Sequence, residues 1–233
     1  MVARNRKTDG EGVIPDVPTA SFDRDVAGVR ETRVVHDVHR VATSLLADIV
    51  TSRADGVAAF RDFVVAMLEH HHAAEDDDLW AMLAARSPGL TAQLDWLTHE
   101  HDALQHALDA LRGLPLGDGD APDASLIQAT AIRDLVHEHL AHEEPVLFPA
   151  LEHVLPEYEW EGFSTRTVAS APQEGLPLLI ALVHEVGCPS DVDLVFRHVP
   201  PEGRATIPDR RAEGDRALRE LRAAARPARG RQR

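Results

Sequence analysis

The chain has 233 residues, 24 Lys+Arg against 39 Asp+Glu, a formal net charge of −15, and an apolar share of 44% in which Phe, Trp and Tyr supply only 4%. This length fits one domain with additional segments, and an interior built from Ala, Leu and Val favours helices over aromatic-rich sheets. The acidic excess opposes binding to nucleic acid or an anionic membrane, the lone Cys188 excludes a disulfide framework and any cysteine-based metal site, and no apolar run reaches the ~18–20 residues that cross a bilayer.

Residues 1–24 read as a solvated tail, in which Arg4, Arg6 and Lys7 are interspersed with Gly10, Gly12, Pro15 and Pro18. The lack of an apolar stretch there predicts no signal peptide and a cytoplasmic location. Four long helical stretches come next. The first covers about 26–50, and the second covers 56–85 with Asp55 as its expected N-cap. The third opens on Ser87-Pro88 and closes at Gly113. A loop with Pro115, Gly117, Gly119 and Pro122 leads to the fourth, about 123–155, which Pro156 ends. Pro145 and Pro149 are expected to kink or loosen its last turns. Short connections imply antiparallel neighbours, so the predicted fold is all-α, an up-down antiparallel four-helix bundle over residues 25–163.

Residues 164–233 read as a C-terminal helical extension, with helices expected at about 175–186, 191–198 and 209–226. The first of these is expected to cover one end of the bundle. Residues 204–233 hold ten Arg against four acidic residues, an Arg-rich tail expected to dock on the acidic bundle or fray in solvent.

Twelve of the 14 histidines lie between His36 and His153. Segments 71–80 and 139–148 share the pattern His-x-x-x-Glu-acid-x-x-apolar-aromatic, and each is preceded on the previous helix by a His-Asp pair, His36-Asp37 and His101-Asp102. Residues four apart lie one turn above each other, so His71 with Glu75, and His139 with Glu143, can grip one ion together. His101 interrupts a stripe of leucines at 90, 94, 97, 104, 108 and 111, which places it on the core face.

An unpaired buried polar group costs about 1–3 kcal/mol against a net stability of ~5–15 kcal/mol, so several such groups facing one core need a compensating partner. Two divalent cations would compensate them. Imidazole and carboxylate together suit iron, manganese or zinc, and two bridging carboxylates with terminal histidines describe a two-metal site. In the first helix the stripe Val34, Val38, Val41, Leu45 and Ile49 puts His39 nearer its centre and His36 near its far edge, so periodicity alone favours His39. His70 and His72 flank a ligand position as supporting or alternate groups. His99, His106, His137, His142 and His153 read as surface residues, Asp76-Asp77-Asp78 as a solvated face, and Trp80 and Phe148 as core packing.

Together these residues resemble the hemerythrin-like proteins with a His-His-Glu cation-binding domain. The resemblance covers about 30–163 and rests on segments 68–80, 94–104 and 139–148 and on Val35-His36-Asp37-Val38-His39-Arg40 in the first helix. It puts the first-helix ligand at His36. It implies a non-haem di-iron centre held by His36, His71, Glu75, His101, His139 and Glu143, with manganese or zinc as alternative ions. Its partner would be a small molecule, O2, H2O2 or NO, met either as an oxidant to be decomposed or by a sensor without turnover. Two departures separate this chain from the oxygen carriers of the family. Gln105 stands where carriers have a second third-helix histidine, with His106 one further on, and Glu143 follows its histidine by four where carriers place an Asp at five. Haem ligation by paired core histidines is the rival cofactor, and the glutamate partners argue against it.

Overall fold

The computed structural model describes residues 26–52, 54–116 and 122–225, and every regular element among them is helical. The tail expected over 1–24 and the glycines of the 117–121 loop lie outside the described residues. Helix α1 spans Ala27–Ile49, α2 Val57–Ala74, α3 Trp80–Arg86, α4 Thr91–Arg112 and α5 Pro122–His153. Beyond them come α6 (Glu157–Ser170), α7 (Leu176–Val186), α8 (Pro189–Phe196) and α9 (Pro201–Ala225). No helix among the described residues is long and apolar enough to cross a membrane.

The segment expected as one helix over 56–85 is divided by a π-helical turn, Glu75–Leu79, in which the amide of Trp80 bonds the carbonyl of Glu75. Such a turn inserts an extra residue and rotates the succeeding residues about the helix axis, a device common at functional positions. Asp55 does not cap α2. Gly56 holds that place at φ +92°, a left-handed conformation glycine adopts without the steric penalty of a side chain. Ser87-Pro88 opens a 3-10 turn, Pro88–Leu90, ahead of α4, and Ser87 makes no side-chain cap bond. Helix α5 continues through Pro145 and Pro149 to His153.

Helix α1 is central, packed against α2, α5, α7, α8 and α9, and α4 lies against α5 and α2. The apolar interior falls into two clusters. One joins Leu46, Phe60, Leu68, Leu104, Leu108, Ile132 and Leu140 with Leu182 and Leu221 of the C-terminal helices. The other joins Leu79, Trp80, Leu83, Leu94, Leu97, Leu147 and Leu151 with Trp160 and Phe163 of α6. Along α2, α4 and α5 the change from one cluster to the other falls at the histidines and glutamates of interest, so these polar groups form a layer between two apolar blocks.

The hydrophobic pattern does not mark α6, whose buried side of Trp160, Phe163 and Ser164 is short and mixed. Helix α9 begins well before position 209 and continues through Pro208. It docks by burying Leu218 and Leu221 and by pairing Arg222 with Glu185 at 2.7 Å. Helix α7 buries Ile180, Ala181, Leu182 and Val183 against α1 and α9. At their crossing Gly214 lets α9 approach so closely that a β-carbon there would lie 1.9 Å from the carbonyl oxygen of Pro177.

Candidate metal centre

Two groups of side chains converge in the polar layer. His36 of α1, His71 of α2, Glu75 of the π turn and Glu143 of α5 offer ligand atoms all within 4.8 Å of one another, and so do His72, His101 and His139. The glutamates join the groups. Glu75 places Oε1 3.3 Å from Nε2 of His71 and Oε2 3.6 Å from Nε2 of His101. Glu143 places Oε1 3.4 Å from Nε2 of His36 and Oε2 3.0 Å from Nε2 of His139. Each carboxylate therefore has one oxygen on either side, the disposition of a bridging ligand.

The outer ring nitrogens are fixed from behind. A carboxylate only accepts, so the Nδ1 facing it carries a proton, and in the neutral ring the opposite Nε2 presents a lone pair. Nδ1 of His36 donates to Glu144 Oε1 at 3.1 Å, Nδ1 of His101 to Asp76 Oδ2 at 2.9 Å, and Nδ1 of His139 to Glu100 Oε2 at 3.0 Å. These three carboxylates are themselves held. Arg40 donates to Glu144 at 2.6 Å, Thr98 to Asp76 at 2.6 Å, and His142 to Glu100 at 2.8 Å. This is the outer ring of hydrogen bonds that orients metal-binding imidazoles. It corrects two expectations: Asp76 is no solvated acid, and His142 is tied to the site through Glu100.

The same arrangement leaves Nε2 of His101 and Nε2 of His139 only 3.1 Å apart, with both Nδ1 protons committed outward. Two lone pairs so close repel unless a cation or proton lies between them. Nε2 of His36 and of His71, Oε2 of Glu75 and both oxygens of Glu143 are buried without a hydrogen-bond partner. Unmet buried acceptors facing one point are what a cation would satisfy.

The electrostatics without a cation carry the same conflict. Burial, then the charges of Glu143 and Asp76, push the Glu75 carboxyl well above the usual range. Burial also opposes ionisation of Glu143, but His36 and His139 outweigh it and hold that carboxyl well below the usual range. Burial disfavours the charged form of His36, yet Glu143 and Glu144 raise it to about 9. Burial and neighbouring imidazoles depress His71, His72 and His39. Two carboxylates this close cannot both stay ionised with only protons to balance them.

Of the six side chains singled out from the sequence, His36, His71, Glu75 and Glu143 fall in one group and His101 and His139 in the other. His36 and His39 are both buried, but only His36 joins a group. The His39 ring packs 4.4 Å, centroid to centroid, from that of His71, and its Nδ1 has no partner. His72 joins His101 and His139, its ring stacked on His101 at 4.3 Å. Its place beside His71 in the sequence marks it without deciding its role. His70 reaches Ser170 instead, and Gln105 donates to Glu69 and Asp109 away from the centre. Trp80 stacks over His101 and Phe148 over His36, at 6.2 and 6.1 Å between ring centroids.

Residues 30–152 match the family described as the Hemerythrin HHE cation binding domain. No curated protein and no solved structure matches the chain.

Proposed function

The chain belongs to the family of hemerythrin HHE cation-binding domains, and from that premise we propose that it is a non-haem di-iron protein that binds or reacts with a small oxidant: dioxygen, hydrogen peroxide or nitric oxide. The observation that carries this reading is the disposition of Glu75 and Glu143, each with one oxygen beside a histidine of either group. His36 and His71 would hold one ion and His101 and His139 the other, with both glutamates shared and His72 added on the second side. Six histidine and carboxylate donors of this kind suit iron, with manganese or zinc as alternatives. Two bound irons supply redox equivalents and Lewis acidity at one point.

The chain's own residues prepare that point. Glu144, Asp76 and Glu100 keep the protons of His36, His101 and His139 on Nδ1, so each Nε2 stays a donor of electrons. Trp80 and Phe148 cover the rings, and the two apolar clusters keep bulk water from the carboxylates. Helices α1, α2, α4 and α5 make the up-down antiparallel bundle of a metal-binding domain over 25–163, with 164–233 as its extension, in the setting of a cytoplasmic protein.

Metal analysis of protein expressed with added iron tests the reading. About two irons per chain, and a visible charge-transfer band that responds to peroxide, are expected; a chain that retains no transition metal overturns it. A second reading, an iron-responsive sensor without turnover, draws on the burial of so many ionisable groups, which makes folding depend on the metal. It predicts a large metal-dependent melting shift with no consumption of peroxide.

A further inference from the structure

A cavity of about 110 Å³ lies between the site and the C-terminal helices. It is lined by His71 and Glu75 together with a wall from Val168 of α6 and Val195 of α8, segments outside the 30–152 match. Among the grouped ligands His71 has the most exposed side chain, 13%, whereas those of His36 and Glu143 are fully buried. The way in from solvent therefore reaches the His71 side first. The volume exceeds what one water requires and is small for anything larger than a few heavy atoms.

Glu31, on the first turns of α1, lines the same cavity and fastens that wall. Its Oε2 accepts from Trp160 Nε1 at 3.0 Å and Ser164 Oγ at 3.2 Å, both on α6, and from His198 Nε2 at 3.2 Å just past α8. Its Oε1 lies 3.0 Å from Arg197 Nη2. One buried carboxylate thus holds two separate C-terminal elements against α1, with its charge matched by Arg197. Breaking a buried pair of this kind costs far more than breaking a surface one.

We propose that this cavity is the chamber through which a small neutral molecule reaches His71 and Glu75, and that α6 and α8, pinned by Glu31, set its size limit. The inference rests on the di-iron reading above. Apolar walls disfavour ions, which would lose their hydration on entry, and the fixed wall excludes neutral molecules with bulky substituents. The ligand class is therefore a neutral diatomic or unsubstituted peroxide.

The test uses the full chain loaded with iron, with hydrogen peroxide and tert-butyl hydroperoxide as probes. Three forms are compared: the native protein, Glu31→Gln, which unfastens the wall, and Val168→Trp, which fills the chamber. Iron content, the rate of the peroxide-induced absorbance change, and amide hydrogen exchange in α6 and α8 are read for each. Native protein is expected to respond to hydrogen peroxide and poorly to the bulky hydroperoxide. Glu31→Gln should raise the bulky probe's rate by about tenfold, roughly what 1.4 kcal/mol of barrier represents, and speed exchange in α6 and α8. Val168→Trp should slow hydrogen peroxide by a similar factor with iron content unchanged. An iron-loaded Val168→Trp protein with the native rate overturns the chamber alone, as does Glu31→Gln with native discrimination and exchange. A protein that takes up no iron overturns the di-iron reading and the chamber with it.

Discussion

Asp76 Oδ2 accepts the Nδ1 proton of His101 at 2.9 Å, and the matching acid of the other repeat, Glu144, does the same for His36 at 3.1 Å. Each His-x-x-x-Glu-acid segment thus steadies the solitary histidine that precedes the other segment, and the aromatic that ends each segment, Trp80 or Phe148, stacks on that same ring. Removing such outer partners typically costs 10–100-fold in metal affinity. Asp76→Ala and Glu144→Ala should each weaken metal binding by about that range while the helical circular dichroism stays native. Competition titration with a chromophoric chelator measures it; affinities equal to the native one would show that these acids do not orient the rings.

Buried acceptors that a cation satisfies make the folded state depend on that cation. A ligand present at a thousand times its Kd, with no affinity for the unfolded chain, adds about 4 kcal/mol, which for a chain of this size corresponds to roughly 10 °C in Tm. Stripping the metal with a chelator should lower the unfolding midpoint by about that much, and adding it back should restore the midpoint. Equal midpoints with and without metal would place the ions elsewhere.

The core-facing candidates on α2, α4 and α5 are legible in the sequence because direction follows from helical period: His101 occupies a leucine step and cannot point outward while Leu97 and Leu104 point in. The supporting acids are not. Within its own helix Asp76 turns about 100° away from Glu75 and reads as a solvent-face residue, but it reaches Thr98 and His101 on α4, as Glu144 of the unbroken α5 reaches His36, a contact between helices that spacing along one helix does not encode. Glu100 joins His139 to His142 between two helices, a relation that no spacing within one helix encodes. Helix α6 has no periodic signal because Trp160 and Phe163 are too few to make one. Its tie to the site runs through Glu31, more than a hundred residues away in the chain.

His72 and Gln105 offer a direct contrast. His72 lies in the group with His101 and His139, whereas Gln105 is engaged with Glu69 and Asp109. His72→Ala should lower the bound metal from about two ions per chain toward one, or weaken one of the two by 10-fold or more, as lost ligands and their supports do. Gln105→Ala should leave stoichiometry unchanged. Elemental analysis after gel filtration separates the two, and equal metal content in both variants would remove His72 from the ligand set.

Two glycines in helices should respond to alanine with opposite signs. Gly162 in α6 has room for a methyl group, the nearest atom being 3.4 Å away on the flexible Arg166 side chain. Gly162→Ala should therefore stabilise by about 0.5–1 kcal/mol, the ordinary gain of alanine over glycine in a helix. Gly214 in α9 has no such room, since its β-carbon would sit 1.9 Å from the Pro177 carbonyl oxygen and 2.8 Å from the Ala181 methyl. Backbone cannot yield as a side chain tip does, so α7 and α9 must move apart. Gly214→Ala should destabilise by about 1–3 kcal/mol, the usual penalty of overpacking, despite its better helix propensity. Because α7 and α9 pack on the far apolar cluster, away from the carboxylates, metal content should stay native in Gly214→Ala. Thermal melts of the metal-loaded proteins give the sign directly. A stabilised Gly214→Ala protein would mean that the two helices stand further apart at this crossing.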